Sequence, residues 1–135
     1  MILIDTSAWI DLIRRKESRA AVRLRELLRT DAPVAVTEPV VMELLSGCRS
    51  GRELAATRRR LLALGFLRVG GLDTWERASA VGRACRSAGE PVRNGFDCLI
   101  AAVAIRDGAT LLHHDRDFEV IARHTELQLE PVSAA

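Results

Sequence analysis

The strongest restriction on the fold comes from the order of the apolar residues, because very short apolar segments alternate with longer amphipathic ones. The segments 1–4, 33–36 and 110–112 are too short for a helix and are apolar at nearly every position. This pattern is typical of strands that are buried on both faces of a parallel sheet. The stretches between them repeat apolar residues three and four positions apart, which predicts helices. We therefore predict an α/β domain whose central, mostly parallel sheet is covered by helices on both faces.

Capping residues and helix breakers predict where the helices begin and end. Thr6 or Ser7 and, later, Asn94 are expected to cap helices, because their side chains accept hydrogen bonds from free backbone N–H groups. The first predicted helix begins near Ala8. Further helices are predicted at 18–28, 37–47, 53–64, 73–88, in the segment after Asn94, and at 115–123. Further strands are predicted at 66–69 and 127–129. With 135 residues and no internal repeat or linker, residues 1–135 are expected to form a single domain.

Composition narrows the class of protein. Apolar residues make up 48% of the chain and charged residues 28%, as in ordinary globular domains. The longest uncharged apolar stretch, Cys98–Ile105, is far shorter than the roughly 20 residues that cross a bilayer, and the N-terminus shows no secretory leader. The three cysteines lack zinc-binding spacing, so reduced thiols are expected. These features predict a cytoplasmic protein that does not enter a membrane.

The basic residues are concentrated in two segments, although the net charge is only +2. Seven basic residues lie between Arg14 and Arg29, and five arginines lie between Arg49 and Arg60. Arginine presents a planar fork of donors that suits phosphates and carboxylates. A polyanionic ligand or an acidic partner is therefore one interpretation of these segments, and solvated helix faces are the other.

Four acidic residues adjoin predicted apolar elements. Asp5 and Asp115 come just after strands, and Glu43 and Asp97 lie in apolar helices. Each one alone is explained as a helix cap, a partner of a helix N-terminus or a surface acid. The carboxyl ends of parallel strands meet at one edge of a sheet, however, and ligands bind there. Carboxylates gathered at that edge repel one another unless a cation lies among them, and oxygen ligands suit Mg²⁺ or Mn²⁺.

Four segments in this order resemble a known family: ILIDTSAWI, TEPVVMELLSG, RNGFDCLIAAVA and LLHHDRDFEVIA. Together they are similar to the PIN domain, and specifically to the VapC-type toxins of bacterial toxin–antitoxin pairs. The resemblance covers essentially the whole chain and implies a three-layer α/β/α fold. It also implies an Mg²⁺- or Mn²⁺-dependent endoribonuclease that cleaves tRNA or another structured RNA and inhibits translation. A cognate antitoxin is expected to bind over the active-site cleft, and a homodimer is expected.

The same resemblance implies the site residues. The acids of the family fall on Asp5, Glu43, Asp97 and Asp115, which are expected to hold the metal and carry catalysis. Three of them would bind the metal directly, while Glu43 would bind it through water or position the nucleophile. Thr6 is expected to hold Asp5 or a metal-bound water. The last acid of the family pattern falls on Asp115 first, and Asp117 is expected as a supporting ligand. His113 and His114 are expected to be neighbours of the site and not ligands.

Other classes of protein fit the residues less well. A receiver domain needs a lysine late in the chain, and the only lysine is Lys16. A haloacid-dehalogenase-like phosphatase needs a second acid where Ser7 stands, and a zinc site on His113 and His114 lacks a third neutral ligand. The remaining alternative is a degenerate PIN-like module that binds RNA or protein without cleaving. The presence of all four acids favours the nuclease.

Overall fold

The computed structural model describes residues 1–133, in which short strands alternate with helices. The elements, in chain order, are β1 (Ile2–Ile4), α1 (Thr6–Ile13), α2 (Arg19–Arg29), β2 (Val34–Val36), α3 (Glu38–Ser46), α4 (Gly51–Leu62), β3 (Gly65–Phe66), α5 (Leu72–Ser87), α6 (Gly95–Asp107), β4 (Thr110–Leu112), α7 (Arg116–His124) and β5 (Gln128–Leu129). This alternation confirms the predicted α/β class.

The five strands form one sheet in the order β3-β2-β1-β4-β5. Every neighbouring pair is parallel, so the sheet is parallel throughout the described residues. The chain runs outward from β1 through β2 to β3 and then returns to place β4 on the other side of β1. The position between β1 and β4 is therefore the point where the strand order reverses, and ligands of open parallel sheets bind at such points.

The core lies on both faces of this sheet. Leu3, Ile4, Val36 and Leu111 are fully buried although consecutive strand residues point to opposite faces. Helix α1 contacts α2 and α3, and α3 contacts α4, so that these four helices form one group; α5, α6 and α7 contact one another as a second group. Helix α6 is buried on all sides from Asp97 to Ala104. These features agree with the expected three-layer α/β/α arrangement.

Helix α1 begins two residues earlier than predicted. Its N-cap is Asp5, whose carboxylate accepts a hydrogen bond from the backbone N–H of Ser7. Thr6 and Ser7 therefore lie inside the first turn, and the prediction that one of them caps this helix was wrong. Because the cap is an acid at the end of β1, the first acidic residue is fixed by the strand on one side and the helix on the other.

Strand β3 is shorter than the predicted 66–69 segment and starts one residue before it. Gly65 and Phe66 pair with β2, and the Leu67 N–H adds one more backbone bond to the carbonyl of Val36 at 2.9 Å. The backbone groups after Leu67 bond to side chains instead: Glu38 Oε1 accepts from the Val69 N–H at 2.8 Å, and Arg106 donates to the carbonyls of Val69 and Arg68. These side-chain bonds replace the strand ladder after Leu67.

No helix within residues 1–133 has both the length and the apolar character that crossing a bilayer requires.

Candidate active site

Two of the expected acids lie at the point where the strand order reverses. Asp5 follows β1, and Asp115 follows β4 after a two-residue connection. The backbone N–H of Asp5 donates to the carbonyl of Leu112 at 2.9 Å, which extends the pairing of β1 with β4 by one bond. Asp115 caps α7 by accepting the N–H of Asp117 at 2.9 Å. Both acids are therefore held at the carboxyl edge of the sheet by the backbone.

The tightest group of carboxylates consists of Asp97, Asp115 and Asp117. Each offers one oxygen, and these three oxygens lie within 4.8 Å of one another. Asp97 is the third residue of α6, whereas Asp115 and Asp117 come from the start of α7. We call these three residues the acid cluster. Asp117, expected as a supporting ligand, thus belongs to the same group of oxygens as Asp97 and Asp115.

Of the three carboxylates, that of Asp97 is in the environment least favourable to a negative charge. Its side chain is buried, with the residue 6% exposed, and its Oδ2 has no hydrogen-bond partner among the described residues. Burial, followed by repulsion from Asp5, Asp115, Asp117 and Glu43, raises the pKa of Asp97 to about 7. The cluster is therefore deficient in positive charge, and a cation would satisfy the free oxygen and relieve the repulsion.

Asp5 and Glu43 lie close enough to the acid cluster to interact electrostatically with its carboxylates. Burial is the main cause of the raised pKa of Asp5, and Asp115 adds to it. Burial and then the charge of Asp5 raise the pKa of Glu43, which is half-buried on α3. Thr6 Oγ1 is buried and has no hydrogen-bond partner among residues 1–133. It is nevertheless near enough to Glu43 to lower the pKa of that carboxyl, which offsets part of the increase caused by burial and Asp5. All four expected acids, with Asp117, are thus brought to one region.

Ser7 joins the two chain segments that carry Asp5 and Asp115. Its hydroxyl donates to Asp5 Oδ2 at 2.5 Å and accepts the backbone N–H of His114 at 2.8 Å. The segment after β1 is thereby tied directly to the segment after β4. From the sequence, Ser7 is expected only as a possible helix cap. The one sequence signal for its bonds to Asp5 and His114 is a hydroxyl two residues after the acid that ends β1.

The two histidines support the backbone around Asp115 and do not belong to the acid cluster. His113 Nδ1 accepts the N–H of Asp115 at 3.1 Å, and burial lowers the pKa of His113, which favours the neutral ring that can accept. His114 Nδ1 lies 2.5 Å from Oδ2 of the buried Asp11. Burial raises the pKa of Asp11, but hydrogen bonds from Ser18 and His114 outweigh this and leave it lowered. Asp11 was not singled out from the sequence, because it looks like any polar residue of α1.

The donor set decides which kind of ion fits. The acid cluster offers carboxylate oxygens only, and one of them is buried and without a partner. Oxygen ligands suit hard divalent cations such as Mg²⁺ and Mn²⁺, which also retain waters, whereas zinc sites usually include nitrogen or sulfur. The residues present therefore fit a divalent cation of this class.

Comparison with known proteins gives the family. The PIN domain model matches residues 2–124. Ribonuclease VapC11 from Mycobacterium tuberculosis is 47% identical over 129 residues, which cover 95% of this chain and 96% of that protein.

Two solved structures share the fold. VapBC-1 from nontypeable Haemophilus influenzae has a TM-score of 0.73 at 21% identity, covering 96% of this chain and 97% of that chain. VapC20 from M. tuberculosis, described as a sarcin-ricin loop cleaving toxin, has a TM-score of 0.67 at 23% identity, covering 94% of this chain and 98% of that chain. The match to the family model and the identity to VapC11 over nearly the whole length show that this chain belongs to the PIN-domain family and, within it, to the VapC ribonucleases.

Proposed function

We propose that this protein is an Mg²⁺- or Mn²⁺-dependent endoribonuclease and the toxin of a toxin–antitoxin pair. The single observation that carries the proposal is the buried, unpartnered Oδ2 of Asp97 within a cluster of carboxylate oxygens. A structural acid in the core is ordinarily paired or hydrogen-bonded, because leaving it unpaired costs several kcal/mol. The 47% identity to a protein named as a ribonuclease supports phosphodiester cleavage as the reaction.

Each acid has a proposed role in this reaction. Asp97, Asp115 and Asp117, together with Asp5, would hold the ion, which when bound would neutralise charge at the scissile phosphate and assist activation of water. Glu43 is half-buried and lies outside the acid cluster, and its carboxylate would position the attacking water and accept a proton from it. Thr6 Oγ1 would orient that carboxylate. The products would carry 5′-phosphate and 3′-hydroxyl ends.

The partners follow from the same proposal. The solved structure from H. influenzae is a VapBC assembly, which supports a cognate antitoxin that binds over the cleft of this chain. RNA cleavage in the cytoplasm would inhibit translation until the antitoxin neutralises the toxin. The substrate would be tRNA or another structured RNA, and VapC20 is described as cleaving the sarcin-ricin loop. A homodimer of single-domain chains, each spanning 1–135, is part of the proposal.

The second candidate is a PIN-like module that binds RNA or protein without cleavage. The raised pKa of Asp97 argues against it, because a binding module gains nothing from a buried, repelled acid. The two candidates differ in one measurable property, which is metal-dependent turnover.

The test is cleavage of total RNA by the purified chain, followed by mapping of the new ends. We expect cleavage with Mn²⁺ or Mg²⁺ and none after chelation. Asp97→Asn should lower the rate at least about a hundredfold, because a buried ligand is lost. Asp31→Asn, at an exposed position, is the matched control and should cleave like the wild type. Metal-independent cleavage, or full activity of Asp97→Asn, would refute the proposal, and RNA binding without any cleavage would favour the module.

A further inference from the structure

A cavity of about 520 Å³ opens beside the acid cluster. It lies between the first residues of α2, the connection from β4 to α7, and the segment that follows β5. Asp115 belongs both to the acid cluster and to the wall of this cavity. A linear polymer bound across the acid cluster would therefore also reach the cavity. The volume of the cavity is in the range of small-ligand sites.

Two arginines on opposite walls of the cavity are available to an anion. Arg19 is the first residue of α2, and Arg116 is the first residue of α7. Both are exposed, and neither takes part in the ion pairs formed within residues 1–133. Exposed arginines without a protein partner keep all their guanidinium donors for a ligand, and that planar fork suits phosphate.

One of the two glutamates that line the cavity is paired with a cation. Glu130 accepts from Arg23 at 3.0 Å and from the hydroxyl of Thr110 at 2.7 Å. Glu119 lies 3.4 Å from Nε2 of His113, whose lowered pKa favours the neutral ring, and 56% of its side chain is exposed. Outside the acid cluster, the cavity wall therefore carries the free arginines Arg19 and Arg116 and one carboxylate without a cationic partner.

The rest of the wall offers surface for a flat apolar group. Ala20, Leu129 and Val132 line the cavity. The His114 ring is anchored through Nδ1 to Asp11, yet 62% of its side chain is exposed, so one face of a fixed ring is open. Nucleobases stack on such rings and pack against apolar side chains.

We infer that this cavity binds the nucleotide next to the scissile phosphate of the RNA. Arg19 and Arg116 contact the phosphate of that nucleotide, and His114 with the apolar wall contacts its base. This inference rests on the proposed function, because the cavity adjoins the site of cleavage only if the acid cluster carries it. A nucleotide brings a phosphate for the arginines and a flat base for the ring and the apolar wall in a single unit, so RNA is the occupant that matches the whole cavity.

The experiment is steady-state cleavage of a single-stranded RNA oligonucleotide with one mapped cut, using the full chain with Mn²⁺. The double variant Arg19→Gln/Arg116→Gln should raise KM about fivefold or more and leave kcat within about twofold, because it removes contacts to a phosphate next to the one that is cleaved. The slope of log kcat/KM against log salt should become shallower by about 0.7, since the two arginines contact one phosphate and each phosphate contact on a single strand contributes about 0.7. The variant Arg19→Lys/Arg116→Lys should keep most of the wild-type salt slope.

The matched control is Arg77→Gln/Arg83→Gln, which removes the same charge from exposed positions of α5 outside the cavity. A second arm shortens the RNA by one nucleotide on either side of the cut. Removing the nucleotide that occupies the cavity should weaken the wild type more than the Gln double variant, which keeps only the contacts to the base.

Three outcomes overturn the inference. The first is a Gln double variant with the KM and salt slope of the control, in an otherwise active protein; this leaves the proposed function intact. The second is competition by a polyglutamate peptide that depends on Arg19 and Arg116 while RNA cleavage does not depend on them, which assigns the cavity to a protein partner. The third is a wild type without metal-dependent cleavage, which removes the proposed function together with the inference.

Discussion

At the scale of single residues, Asp5 and Asp115 each combine two roles that were alternatives at the level of sequence. Each caps a helix through one carboxylate oxygen and also lies at the acidic edge of the sheet. A carboxylate has two oxygens, so capping with one leaves the other for a ligand. The cap fixes the position of the side chain before any ligand is present. The simple explanation of these acids as helix caps is correct, and it accounts for the preorganisation of the site.

Asp97 predicts how stability depends on pH. Its folded pKa of about 7 exceeds the unfolded value of 3.8, so between these values the native state holds a proton that the unfolded state has released. Stability is therefore highest below this window and falls as the pH rises through it. For the metal-free protein we expect a loss of about 2–3 kcal/mol between pH 5 and pH 8, measured by urea unfolding with a chelator present.

Asp97→Asn should remove most of this fall, because the amide has no proton to release. Asp5 and Glu43 have pKa values shifted in the same direction, so a smaller fall should persist. Asp31→Asn, at an exposed position, should retain the wild-type dependence. An Asp97→Asn protein with the full wild-type slope would contradict the assignment of this titration to Asp97.

At the scale of secondary-structure elements, the site depends on how the start of α1 is joined to the segment before α7. Ser7 makes that connection through one hydroxyl, which donates to Asp5 and accepts from the backbone of His114. Ser7→Ala should weaken Mn²⁺ binding about tenfold or more, because partners that orient metal ligands typically contribute that much. Isothermal titration calorimetry measures this directly, without any need for turnover.

Ser79→Ala is the matched control, because Ser79 is exposed on α5. Ser7→Thr, which keeps the hydroxyl, should bind Mn²⁺ more tightly than Ser7→Ala does. Equal Mn²⁺ affinity in Ser7→Ala and the wild type would show that the backbone alone positions the two acids.

Most elements could be predicted because their signals are local. Buried strands such as 110–112 are continuous apolar runs, and Asn94 caps α6 as expected. Helix α4 begins at Gly51 and not at Glu53, because the Ser50 hydroxyl accepts from the Glu53 N–H while the Glu53 side chain accepts from the Arg49 N–H. This capping box was present in the sequence but was not used.

The features that escaped prediction depend on contacts between distant segments. Strand β3 ends early because the side chain of Arg106 donates a hydrogen bond to the backbone carbonyl of Arg68, which lies 38 residues earlier in the chain. The closeness of Asp117 to Asp97 follows from the angle at which α7 leaves the sheet edge, and no local pattern fixes that angle. Family resemblance supplied the acids, whereas their distances required the folded chain.

At the scale of the whole molecule, metal binding should stabilise the fold, because the acid cluster joins α6 to α7 across the edge of the sheet. A ligand that binds only the native state adds about 2.7 kcal/mol at a hundredfold excess over Kd. For a chain of this size we expect Mn²⁺ at that excess to raise the Tm by about 10 °C, measured by calorimetry at pH 8.

Asp97→Asn and Asp115→Asn should abolish most of this shift in Tm, whereas Asp31→Asn should retain it. Ca²⁺ serves as a second probe, because its larger coordination shell fits a three-carboxylate group differently. A shift of equal size in all variants would indicate binding elsewhere on the surface.

The wide spacing of the acidic residues along the chain has a consequence for synthesis of the protein. The carboxylates that meet at the sheet edge come from positions as far apart as Asp5 and Asp117, and β4, which pairs with β1, is not made until residue 112. Because a chain folds as it emerges, a nascent polypeptide lacks β4, the neighbour of the central strand β1, and two of the five acids until residues 110–117 have left the ribosome. The proposed active site therefore cannot assemble before this late segment has been made.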